Sequence, residues 1–145
     1  MTHELIRRAR AAEALVAQYE HAPYRLGKAD CVRMVANHLR RMGHAVSLIK
    51  GGTYSTPRGA VKALAKAGFD SLEAALDARF IRIPPAAALT GDVVAMESDF
   101  PLSALAVCLS NNAVLHTQGG GFAISRPLQC LAAWRVPCLK AVDHG

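Results

Sequence analysis

Cys31 ends the segment Tyr24-Arg25-Leu26-Gly27-Lys28-Ala29-Asp30-Cys31 and opens a run in which Val32, Val35, Ala36, Leu39 and Met42 recur at helical spacing. The pattern predicts a helix that starts near Asp30 and stops at Gly43. A thiol attacks as its thiolate, and a helix N-terminus favours that form through its dipole and its unpaired N–H groups. Position therefore separates Cys31 from the other three cysteines. Cys108 falls in an apolar run, while Cys130 and Cys138 flank Trp134, and all three read as small packing residues. A helix-start cysteine can also be only a packing residue, so the thiol needs a partner before it counts as a nucleophile. No pair of cysteines has C-x-x-C spacing, so neither a metal site nor a cofactor is expected.

The partner a thiol needs is a base, usually a histidine brought near by the fold. His38 is on the Cys31 helix about two turns away, too far to reach. His44 lies just past that helix, His3 and His144 are terminal, and His21 reads as a solvated loop residue. His116 closes the strand-like segment Ala113 to Thr117 beside Gly119-Gly120-Gly121, and is the candidate base. The alternative for His116 is a polar residue that merely ends a strand.

These residues must be positioned by two unlike halves. Residues 1–80 read as helical and those from 91 to 140 as short strands, all in one domain spanning 1–145. A first helix is expected from Thr2, its cap, to about Glu20, within a segment 1–21 whose stripe is Leu5, Ala9, Ala12, Leu15, Val16 and Tyr19. After the Cys31 helix comes a loop with Gly51-Gly52. Thr56-Pro57 then signals a cap and first turn for a helix running to Gly68, and Asp70 or Ser71 caps a shorter one ending near Arg79. Ile83-Pro84-Pro85 reads as a break. Beyond it, strands are expected at Val93–Met96, Leu102–Leu109, Ala113–Thr117, Phe122–Ser125 and Ala133–Val136. Asn111-Asn112 makes a tight turn between two of them, and Pro137 marks an edge or a strand end. Helices followed by a small antiparallel sheet define an α+β fold.

The chain has 145 residues, 52% hydrophobic and 19% charged, a globular balance that excludes extended disorder. Its net charge of +6 is compatible with nucleic acid, an acidic wall polymer or an acidic protein neighbour. The basic residues are scattered and no nucleic-acid motif is present, so nucleic acid is not the expected partner. The charged start Met1-Thr2-His3-Glu4-Leu5-Ile6-Arg7-Arg8 lacks the apolar stretch of a signal peptide, and no run is long enough for a transmembrane segment. Synthesis in a cytoplasm, with reduced thiols, is expected.

Tyr24-x-x-Gly27 followed by Asp30-Cys31 at a helix start resembles the nucleophile motif of the NlpC family of papain-like cell-wall peptidases. Gly91-Asp92-Val93-Val94, a strand pair, Val114-Leu115-His116 and Phe122-Ala123-Ile124-Ser125 are similar to that family's sheet in order and spacing. The ending Leu131-Ala132-Ala133-Trp134-Arg135-Val136 resembles a short phage-associated offshoot of unknown function. The likeness covers residues 22–136. It implies a papain-like, NlpC-type fold with Cys31 as nucleophile, His116 as base or its orienter, and Tyr24 and Asp30 lining the substrate cleft. It also implies a departure: the family's base falls on Ala104, which cannot shuttle a proton. The resemblance supports two functional expectations. One is a phage tail-tip or baseplate component that cleaves peptidoglycan peptides as a cysteine peptidase or amidase. The other is a degenerate structural tail protein whose partners are other tail and baseplate proteins, located in the virion tail.

Overall fold

The computed structural model describes residues 3–45, 48–49, 54–127 and 129–139. The expectations for Thr2, Gly51-Gly52 and His144 lie outside them. Among the described residues four α-helices precede a six-stranded antiparallel sheet: α1 (Glu4–Tyr19), α2 (Cys31–Arg41), α3 (Pro57–Lys66), α4 (Leu72–Asp77), β1 (Ile81–Ile83), β2 (Val93–Met96), β3 (Ala104–Cys108), β4 (Val114–Gln118), β5 (Gly121–Ser125) and β6 (Ala132–Arg135). The spatial order is β1-β6-β2-β3-β4-β5. This is the α+β class.

Each helix begins where a side chain can accept a free backbone N–H. His3 caps α1, Asp30 caps α2, Thr56 caps α3 with Pro57 at its first position, and Ser71 caps α4. The first helix thus holds its whole apolar stripe but is capped by His3 and starts at Glu4, later than the start expected at Thr2. Its inward stripe also differs, since Leu5 faces solvent while Arg8 joins Ala12, Leu15 and Tyr19 in the buried set. Gly43 follows α2 with φ +103°, a conformation that favours glycine. Asn111 and Asn112 both have positive φ, as a two-residue hairpin turn with right-handed strand twist requires.

The sheet divides the apolar residues into two layers. The larger core holds α1 and α2 against the face carrying Val93, Ala95, Leu105, Val107, Leu115 and Trp134. The opposite face carries a small cluster of Val94, Ala106, Cys108, Val114 and Ala133, with Cys130 packed against it. Cys138 is buried in the main core. Pro137 lies just past the end of β6, which is an interior strand because β1 pairs outside it. The residues just before the break supply that extra strand, which no expectation covered: Ile81 pairs with Arg135 and Ile83 with Ala133. Arg82 lies 5.2 Å from the Trp134 ring centroid and hydrogen-bonds to Asp77, which also accepts the indole N–H.

A buried ionic knot fastens helices to sheet. Arg8 is 1% exposed and Asp92 fully buried, 3.1 Å apart. Arg8 also donates to the carbonyls of Val136 and Thr90. Asp92 accepts from Arg135 and from the backbone N–H groups of Val136 and Leu89. This satisfies the carboxylate on both oxygens and explains why an aspartate opens β2 after Gly91. Beside the knot, buried His38 hydrogen-bonds to the Gly91 carbonyl at 2.8 Å.

Candidate functional site

Asp30 and Gly27 set the position of Cys31. One Asp30 oxygen accepts the Arg33 N–H at 2.8 Å, the usual cap of an α-helix. The other accepts the Gly27 N–H at 2.8 Å and the Tyr54 hydroxyl, so the carboxylate joins the loop, the helix and a distant tyrosine. Gly27 has φ +84°, and a Cβ there would lie 2.1 Å from the Tyr54 carbonyl oxygen. Only glycine lets the two backbones approach so closely. The glycine at position 27 is therefore a packing requirement of this loop.

Cys31 is the first residue of α2 and faces a cavity of about 250 Å³. Tyr24, Asp30, Tyr54, Ala104 and Thr117 are among the residues that line it. Burial pushes the Cys31 thiol up to about 11. The Leu105 backbone N–H opposes this, the Asp30 charge adds to it, and the N–H groups of Val32 and Cys31 itself oppose it more weakly. Desolvation outweighs the helix-start donors, so the thiol is protonated at neutral pH. Burial also raises the Tyr24 hydroxyl, helped by the charges of Asp30 and Cys31. Tyr54 is raised by burial and by its hydrogen bond to Asp30.

The expected base is not at the thiol. Side chains alternate along β4, with Leu115 in the main core and Thr117 at the Cys31 cavity. Val114 belongs to the opposite cluster, and His116 shares its side of the strand. The His116 Nδ1 meets the Thr117 carbonyl at 3.0 Å and Nε2 meets Ser125 Oγ at 2.8 Å. His116 is not among the residues that line the cavity. Ala104 is among the lining residues, but along β3 its side chain falls on the side of Ala106 and Cys108, opposite to Leu105 and the main core. His21 is exposed beside Glu20, while His38 and His44 hydrogen-bond to the backbone carbonyls of Gly91 and Pro137.

Tyr54 is the site residue that sequence reasoning missed. It lies 24 positions from Asp30, with no local pattern linking the two. The one signal was indirect, since an obligatory glycine at position 27 implies that some other chain segment comes close.

A family model described as a domain of unknown function (DUF6950) matches residues 5–136, and the chain belongs to that family. No curated protein matches it.

Proposed function

We propose that this family member is a papain-like, NlpC-type domain that holds peptide in the Cys31 cleft without cutting it, as a structural part of a phage tail tip or baseplate. The observation that carries the reading is a buried, protonated thiol in a cavity that no histidine lines among the described residues. With the thiol near 11, about one molecule in ten thousand is thiolate at pH 7. Positioned general bases contribute about 10²–10⁴-fold to such reactions. Here neither a lowered thiol pKa nor a base compensates for the other. The phage setting rests on the resemblance of the motif and of the Trp134 ending.

Digestion of purified peptidoglycan tests the catalytic half. Wild type and Cys31→Ala should release equal, background amounts of stem-peptide fragments. Release by wild type alone would overturn the proposal in favour of a working hydrolase. That second reading has one observation behind it, the three backbone N–H groups aimed at the Cys31 sulfur. Thr117→His, on the cavity side of β4, should bring a Cys31-dependent release if peptidase descent is correct. Mass spectrometry of intact virions from a phage encoding the chain tests the other half. Absence from the particle would remove the tail assignment.

A further inference from the structure

The cleft differs from the rest of the molecule in its charge. The chain carries +6, yet among the described residues no lysine, arginine or histidine lines the cavity. The one charged residue there, Asp30, is 2% exposed, and its oxygens already accept from Gly27, Arg33 and Tyr54. It therefore has little capacity left for a ligand cation. Leu26, Val32, Leu72, Phe100 and Leu102 supply apolar lining. Polar contacts come from the tyrosine, threonine and serine hydroxyls, from Gln118 and from the Gly119-Gly120 turn, all uncharged.

We propose that the cleft beside Cys31 selects an uncharged aliphatic or aromatic side chain presented by an extended peptide, and rejects acidic and basic ones. The inference rests on reading the cleft as a peptide holder and names what it holds. A volume of about 250 Å³ accommodates one large apolar side chain with its flanking backbone. A carboxylate inserted there would lose water and meet no cation, while an ammonium would meet only a saturated aspartate. An apolar side chain gains from leaving water without either penalty. The basic surface outside then has no part in choosing the residue that enters.

Cys31 itself supplies the readout. Chloroacetyl-Leu-Gly-amide, chloroacetyl-Glu-Gly-amide and chloroacetyl-Lys-Gly-amide each alkylate a thiol. The sulfur–carbon bond forms, the carbon–chlorine bond breaks, chloride leaves and the thiol proton passes to buffer. Rates at Cys31, followed by peptide mass mapping at mildly alkaline pH, are divided by each probe's rate with glutathione. The leucine probe should lead both charged probes by about tenfold or more. Equal corrected rates, or a faster glutamate probe, would overturn the proposal. So would labelling by plain chloroacetamide but by none of the peptides, or no labelling of Cys31 by any reagent. Phe100→Lys, at a half-buried position, should raise the glutamate probe relative to leucine. These outcomes are independent of peptidoglycan digestion, so failure of selectivity is distinguishable from failure of the non-hydrolytic reading.

Discussion

Two buried aspartates organise opposite ends of this molecule. Asp92 faces two arginines and two backbone N–H groups, and joins α1, β2, β6 and the loop before β2. Among the described residues Asp30 has no cationic partner, and its donors are two backbone N–H groups and a phenol. The first spends its charge on fixing the architecture. The second caps a helix and sets a carboxylate held by hydrogen bonds alone next to a thiol, which is one reason the thiol stays protonated. Similar residue type and burial thus give a fastening in one place and an electrostatic restraint on chemistry in the other. The difference is the presence of arginine.

The comparison breaks most visibly at Asp92. Asp92→Ala strands Arg8 in the interior and should cost about 3–5 kcal/mol, read as a lower urea midpoint. Arg8→Met should cost clearly less, because an apolar chain needs no counter-charge.

Acid should probe the same end. Burial lowers His38 to about 4, with Arg41 and Arg8 adding to the effect while the Gly91 hydrogen bond and Asp92 oppose it. The unfolded imidazole takes a proton near 6.5, before the folded one does. Stability is therefore intact above about 6.5 and falls as the pH drops toward 4, by on the order of 3 kcal/mol at most. His38→Gln should flatten that slope in denaturation measured across the window.

At the other aspartate, Asp30→Ala removes a cap and should cost about 1–2 kcal/mol, less than its counterpart. The smallest effect is the most specific. Asp30→Asn keeps an acceptor but removes the charge, so the Cys31 thiol should titrate at lower pH than in wild type, followed by thiolate absorbance. An unchanged titration would show that the two aspartates do not differ in the way described.

Local chemistry was readable where it is local. The caps at Asp30, Thr56 and Ser71, the Gly43 stop and the Asn111-Asn112 turn each depend on residues within a few positions of one another. What escaped depends on distant partners. Ile81-Arg82-Ile83, left unassigned up to the break read at Ile83-Pro84-Pro85, becomes a strand because β6 offers a pairing edge and Arg82 finds Trp134 and Asp77. Arg8 interrupts an apolar stripe, and only Asp92, 84 positions away, explains its burial. Cys31 could be placed at its helix start from the sequence. Whether His116 reaches it depended on which side of β4 the imidazole takes, and neighbouring residues of the motif do not specify that.

Alternation along β4 also governs how this cleft could acquire new chemistry. His116 cannot be recruited by a small adjustment, since moving the strand by one residue would turn Leu115 out of the main core. Thr117 already occupies the cavity side, so one exchange there would bring an imidazole to the cleft with the strand left in register. In mutational terms the thiol is a single step from a base, and the histidine next door offers no shortcut to it.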